Sequence, residues 1–350
     1  MRLIRRLLLN SSITLISLLC TLVCLEVVFR VFDWRGYHAP RTRDWGHALL
    51  PETDLLPGVF RQFVPNTEFE LAYDSNPRGY FDSNNGLRYR INKFGLRGPD
   101  FALEKEAGTL RIVLLGDSFV FGEGVKWQDT LGEQLEVALS AKLDRSVEVL
   151  NVAVGGWSTV DEIAYLSQRG LHFKPDVVLV VYVLNDAEYA ANLDLWNDFR
   201  AEWEFEQLSK RSYFLSFVAA RLALHFDSEA YAKHILYQAL EDREAWRRSL
   251  TALNRGNEIS SSAGAGFAVA VFPFIYMLDE SYPFKVVHDM LLKHCADNDL
   301  TCIDLLPSFL GQDFVDLWVH PSDQHPNERG HALAAKALAT FLLESNTLPK

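Results

Sequence analysis

Ser118, Gly156, Asn185 and His325 stand in that order in four short blocks, and together they hold the parts of an acyl-transfer site. The blocks are Gly116-Asp117-Ser118, residues 151–156 (NVAVGG), Leu184-Asn185-Asp186 and residues 323–327 (DQHPN). A serine hydroxyl is a poor nucleophile until a neighbouring base takes its proton, and an imidazole suits that task near neutral pH. The N–H groups of Gly156 and Ser118 and the side-chain amide of Asn185 are donors for a tetrahedral oxyanion, each worth about 3 kcal/mol on the barrier. Gly-Asp-Ser alone is ordinary turn chemistry. The other three blocks give it weight.

The first three blocks follow apolar runs that read as buried strands, at 112–115, 147–152 and 177–183. Two further runs, 268–272 and 301–304, complete a set of five. Helices fall between them. Leu131, Leu135 and Leu139 recur every fourth residue behind a possible capping box, Thr130 with Glu133. A second helix is expected at 161–170 and a last one at about 328–343. This alternation predicts an α/β protein with a mainly parallel five-stranded sheet covered on both faces, a three-layer α/β/α sandwich. Parallel strands end at one edge, where ligands bind in open α/β folds. The blocks can therefore converge.

The rhythm breaks between 187 and 264, a stretch too long for an ordinary connection. It carries Trp196, Phe199, Trp203, Phe205, Phe214, Phe217 and Trp246. It reads either as a helical insertion with its own small core or as a cap lining an apolar groove.

The chain begins MRLIRR, followed by an uncharged stretch of about 19 residues at 7–25, long enough to cross a bilayer as a helix. No small-x-small cleavage site follows, and Leu19 and Val23 are bulky for a residue preceding a lipidated Cys20 or Cys24. A retained anchor at 1–33 is the favoured reading, against a cleaved signal or a buried helix of a soluble domain. Arg2, Arg5 and Arg6 favour a cytoplasmic N-terminus, a bias that Arg30 and Arg35 blunt, and the long domain that follows is expected to be extracytoplasmic. Glu26 and Arg30, four apart, can pair at the helix end. Residues 34–108 are rich in Pro, Gly, Asn and Asp and read as a linker and a small β-rich collar, with a strand at 87–91. Arg88 and Arg97 there suit surface salt bridges better than substrate contacts. The main domain spans 109–346.

With 49% hydrophobic residues among 350, the chain can bury a sizeable core. Its net charge of -12, with no basic stripe, argues against nucleic acid as a partner. Cys295 and Cys302 flank a short loop. In an oxidising compartment they can form a disulfide, and otherwise they are two packed thiols.

The four blocks resemble those of the SGNH hydrolases, the GDSL-like serine esterases, over residues 109–343. By that resemblance Ser118 matches the nucleophile, Gly156 and Asn185 the oxyanion donors, and His325 the base. The lead-in YRINKFGLRGPDF and the anchor look like a membrane-anchored bacterial envelope subgroup. The resemblance implies the SGNH hydrolase fold, an acyl-ester substrate of carbohydrate or lipid, a covalent acyl-enzyme and no cofactor or metal. Acyl transfer to an exported envelope polysaccharide would use the same residues. A non-catalytic carbohydrate-binding protein on the same fold is a third reading, which an intact Ser and His oppose.

Two departures stand out. The third block usually reads Gly-x-Asn-Asp, and Val183 replaces the Gly. The last is usually Asp-x-x-His, but Ser322 holds that Asp position and Asp323 lies one closer to His325. Asp323 can orient the imidazole if the loop is bulged. Otherwise a backbone carbonyl must. Asp117 and Asp186 are read as loop braces, and His331 as a packed helix residue. The spacing of His320, Asp323, His325 and His331 fits no common zinc pattern.

Overall fold

The computed structural model describes residues 2–32, 42–43, 45–73, 75–187, 212–215, 217–218, 236, 239–241, 243–321, 323–345 and 347–349. The chain divides into two units, Met1–Ala39 with Asp194–Glu229, and Pro40–Leu193 with Ala230–Lys350.

The first unit is built on helix α1 (Arg2–Val31). Its stretch Asn10–Val31 has a mean hydropathy of 2.3 and is long and apolar enough to cross a membrane. Ile13, Leu15, Leu19 and Val23 are exposed along it. Glu26, the only acid of the helix, accepts from Arg30 Nε at 2.6 Å, as the i,i+4 spacing predicts. It also accepts from Ser212 Oγ at 2.6 Å and from the N–H groups of Tyr213 and Phe214. Phe29 meets Phe214 and Phe217 edge-on.

The second unit opens with a small sheet, called the collar below. Strands β1 (Thr42–Arg43), β2 (Glu68–Ala72) and β3 (Gly86–Arg90) form an antiparallel sheet. Phe69 and Tyr89 pair across it and stack with Phe63 and Phe121, centroids 5.0–5.5 Å apart from ring to ring. Arg88 makes the expected surface pairs with Glu70 and Glu68. Arg97 does not. It is buried, and its guanidinium donates to the carbonyls of Phe121, Gly122 and Val125 at 2.6–2.7 Å. Three buried carbonyls at one turn need donors, and a planar five-donor group satisfies them together.

The main sheet consists of β4 (Leu110–Gly116), β5 (Val147–Ala153), β6 (Val177–Val183), β7 (Gly266–Phe272) and β8 (Thr301–Asp304), all parallel, in the order β5-β4-β6-β7-β8. β4 and β6 are buried along their whole length, as continuous apolar runs must be when helices cover both faces. Leu114 and Leu179 are register partners and share a face. Helix α3 (Leu131–Ser140), following α2 (Ser118–Phe121), lies on it, with Gly132 against Leu114. Tyr182 points to the other face. There helix α4 (Thr159–Gln168) and helix α5 (Arg243–Ser262) meet it, Ser249 Oγ contacting both Thr159 Oγ1 and the Tyr182 hydroxyl. α4 starts two residues before its expected position, because Ser158 and Asp161 form a capping box.

The stretch 187–264 is thus not one element. Trp246 packs edge-on to Tyr182 in the main unit, whereas Phe214 and Phe217 belong with α1. Trp196, Phe199, Trp203 and Phe205 lie outside the described residues. After α6 (Lys285–Asp297) and α7 (Leu306–Phe309) comes an antiparallel hairpin, β9 (Trp318–His320) and β10 (Asp323–Pro326), then α8 (Glu328–Glu344).

Cys295 on α6 and Cys302 in β8 form a disulfide with Cα atoms 6.2 Å apart, inside the range a bridge requires. Cys302→Ser should lower the unfolding free energy by about 2.5 kcal/mol, the loop-closure value for so short a loop. Denaturant melts with and without reductant check this. Equal stability of wild type and variant under oxidising conditions would show that the thiols are not bridged.

Candidate active site

β4 runs straight into the first block. Asp117 caps α2, its Oδ1 accepting the Phe119 N–H at 2.8 Å. This four-residue turn folds back on the strand so closely that a Cβ on Gly116 would lie 2.3 Å from Val120 Cγ2. The result holds Ser118 at the sheet edge, 9% exposed. Asn151 of β5 pins the same turn by donating from Nδ2 to the Val120 carbonyl at 2.7 Å.

The hairpin delivers Asp323 and His325. Asp323 pairs with His320 and Pro326 with Trp318, so β10 takes three steps where β9 takes two, and the extra residue is a bulge. Residues two apart on an extended strand share a face. The spacing that departs from Asp-x-x-His therefore suits a strand. His325 Nε2 lies 2.8 Å from Ser118 Oγ, and Nδ1 lies 2.5 Å from Asp323 Oδ1. Between a carboxylate and a backbone carbonyl at Nδ1, the structure has the carboxylate. Asp323 Oδ1 also accepts the His325 N–H at 3.2 Å, and Oδ2 accepts the Tyr73 hydroxyl at 2.6 Å. Asn327 ties the hairpin to α8. It accepts from the N–H groups of Arg329 and Gly330 and donates to the carbonyls of Asp316 and Trp318.

On the opposite side of Ser118, the loop after β5 carries Gly155 and Gly156. A Cβ on Gly155 would lie 3.7 Å from Ser118 Cβ. Gly156 has φ +85°, a conformation side chains disfavour. Arg61 Nη1 donates to the Gly155 carbonyl at 3.1 Å. A trans peptide is planar, so the Gly156 N–H points away from that bond. Asn185 sits in the 3-10 turn Leu184–Ala187 after β6. Its Nδ2 lies 3.3 Å from Asp117 Oδ2, and Ser118 Oγ lies 3.4 Å from the same oxygen. The structure thus gathers Ser118, His325, Asp323, Gly156 and Asn185 at one edge.

The expected loop braces are in place, with Asp117 on Phe119 N–H and Asp186 Oδ2 on Val183 N–H. His331 is buried in α8, where burial pushes its pKa down to about 3 and keeps it neutral. His320 Nε2 lies 3.0 Å from Ser75 Oγ. Among the described residues, neither histidine joins a cluster with metal-ligand geometry. The cluster that does is Glu123, Asp323 and His325, with donor atoms within 4.8 Å of one another.

Tyr73, Arg61 and Glu123 carry no signal in the sequence. Phe69, Leu71 and Tyr73 alternate as an inward-facing strand row, and nothing in that row marks one hydroxyl as a donor.

A model of the GDSL-like lipase/acylhydrolase family matches residues 114–333. The chain belongs to that family. It is a GDSL-like hydrolase, built on a parallel five-stranded sheet. No curated protein matches the chain. Among solved structures it is similar to a protein of the G-D-S-L family from Desulfitobacterium hafniense DCB-2, at 14% identity and TM-score 0.41 over 66% of this chain and 98% of that one. An acetylxylan esterase from Geobacillus stearothermophilus gives 13% and 0.40, over 69% and 97%. A two-domain esterase active on acetylated mannans gives 15% and 0.44 over 70% of this chain. The match spans about half of that esterase, 52%.

This GDSL-like hydrolase buries acid groups beneath its site. Glu162 of α4 and Asp186 are enclosed, and neither Glu162 oxygen hydrogen-bonds to the protein. Burial raises both carboxyls well above the usual range, reinforced at Glu162 by the charges of Asp117 and Asp161 and at Asp186 by those of Glu162 and Asp117. A carboxyl raised in the folded state holds a proton that the unfolded chain has released. Its contribution is therefore lost as pH climbs from the unfolded value toward the folded one. Stability should fall as pH rises above the ordinary carboxylate range, and Glu162→Gln should flatten that slope by up to about 1.4 kcal/mol per pH unit. Denaturant melts across this range test it. Parallel slopes for variant and wild type would show that Glu162 releases its proton normally.

Proposed function

We propose that the protein is a membrane-anchored ester hydrolase of the cell envelope, with Ser118 as nucleophile and an acyl ester of carbohydrate or lipid as substrate. The observation that carries this reading is the line from Ser118 Oγ through His325 Nε2 at 2.8 Å to Asp323 Oδ1 at 2.5 Å. His325 removes the Ser118 proton as Oγ attacks the ester carbonyl carbon. Asp323 keeps the other imidazole proton on Nδ1 and stabilises the imidazolium. The tetrahedral oxyanion lies toward Gly156 N–H, Asn185 Nδ2 and Ser118 N–H. Collapse breaks the bond to the leaving alkoxide, which takes the proton from His325. Water, deprotonated by the same imidazole, then releases the acid and restores Ser118.

Two further features support the setting. α1 has the length and hydropathy of a bilayer span, and the Cys295–Cys302 bridge suits an oxidising compartment.

A fluorophosphonate should label Ser118 in the full-length protein. Ser118→Ala and His325→Ala should each lower kcat by about 10^4-fold or more, and Asp323→Ala by about 10^3-fold, all with the fold intact. Wild-type turnover in Ser118→Ala, with contaminating esterases excluded, would end the serine mechanism. For the anchor, the full-length chain should partition with membranes. A mature protein recovered with a new N-terminus beyond residue 25 would instead identify a cleaved signal.

A further inference from the structure

We propose that Tyr73 is a positioning residue for the triad, holding the Asp323 carboxylate in the orientation that fixes the His325 tautomer. The inference rests on the serine-hydrolase reading of Ser118, His325 and Asp323 and adds a residue from outside the family-matched stretch 114–333.

The geometry is a chain of donors. The Tyr73 hydroxyl donates to Asp323 Oδ2 at 2.6 Å, and His325 Nδ1 lies 2.5 Å from Oδ1. With one oxygen engaged on each side, the carboxylate cannot turn about its last torsion without losing a bond. Oδ1 meets His325 twice, at the imidazole Nδ1 and at the backbone N–H at 3.2 Å. These contacts join the two residues to each other. Tyr73 joins the pair to the collar, through a residue 250 positions away in sequence.

Burial makes the bond consequential. Tyr73 is 1% exposed and Asp323 6%, so little water is available to replace the hydroxyl. Burial, together with the charge of Asp323 and Glu123, raises the Tyr73 ionisation far above its ordinary value. The hydroxyl therefore remains a donor across the working range. Its ring is held independently, stacked on Phe81 at 4.6 Å and on His320 at 5.0 Å. Phenylalanine can fill the same space, so the hydroxyl is separable from the packing.

Tyr73→Phe in the full-length protein tests this. A hydrogen bond to a charged group is at stake, so kcat and the rate of Ser118 labelling by a fluorophosphonate should fall about tenfold. KM should stay at the wild-type value, and the variant should remain fully folded at the assay temperature. The far-downfield proton resonance of the imidazole Nδ1–H, identified by its loss in Asp323→Ala, should broaden or move upfield. In the Asp323→Ala background, Tyr73→Phe should change the labelling rate less than twofold, because a residue acting through Asp323 has nothing left to act on. Ser75→Ala, which removes a neighbouring contact to His320 but none to Asp323, should leave labelling unchanged.

Wild-type kcat with an unmoved resonance in Tyr73→Phe would overturn the proposal. So would an equal tenfold loss with and without Asp323, or a loss explained by unfolding at the assay temperature. Failure of a fluorophosphonate to label Ser118 in the wild type is a separate outcome, and it overturns the serine mechanism itself.

Discussion

An imidazole can accept a proton from a serine only if its other nitrogen already carries one, and the proposed mechanism depends on that requirement. The contact between His325 Nε2 and Ser118 Oγ joins residues 207 positions apart. Ser118 and Asn185 follow parallel strands and arrive at the same edge because parallel strands end together. His325 comes from elsewhere, on a short antiparallel hairpin outside the main sheet. That hairpin is located by Asn327, which caps α8 while donating back to Asp316 and Trp318. Within β10, Asp323 and His325 meet side chain to side chain, Oδ1 to Nδ1 at 2.5 Å.

The collar reaches both sides of this arrangement. Tyr73 meets the carboxylate of the proposed triad, and Arg61 holds the peptide between Gly155 and Gly156. Arg97 closes the exit of α2 by serving three carbonyls. Each contact gives a buried or half-buried polar group its partner, and the stacked rings of Phe63, Phe69, Tyr89 and Phe121 supply the apolar area that keeps the collar in place. A region of irregular chain can hold a site accurately when its polar contacts are individually directed and its apolar contacts are continuous.

Beneath the site the balance is reversed. Asp117, Glu162 and Asp186 are buried together, and burial favours their neutral forms. Such groups cost stability at neutral pH. Asp117 and Asp186 also brace the two turns that carry Ser118 and Asn185, so the same carboxyls that cost stability shape the edge proposed as the active site.

By itself the sequence determined the sheet, its parallel sense and the edge where the four blocks meet. Buried strands need continuous apolar runs, and residues 112–115 and 177–183 supply them. It also marked Ser118, Gly156, Asn185 and His325, because a hydroxyl, a glycine and an amide after three strands and an imidazole before the last helix are an unusual set. Only the tertiary structure decided what faces Asp323, what Arg97 binds and how the stretch 187–264 divides. Those outcomes depend on which distant groups are brought within hydrogen-bonding reach, and a strand row such as Phe69, Leu71 and Tyr73 looks the same whether its last hydroxyl is idle or engaged. The disulfide followed the same rule. Two cysteines seven apart allowed either state, and the approach of α6 to β8 chose the bridge.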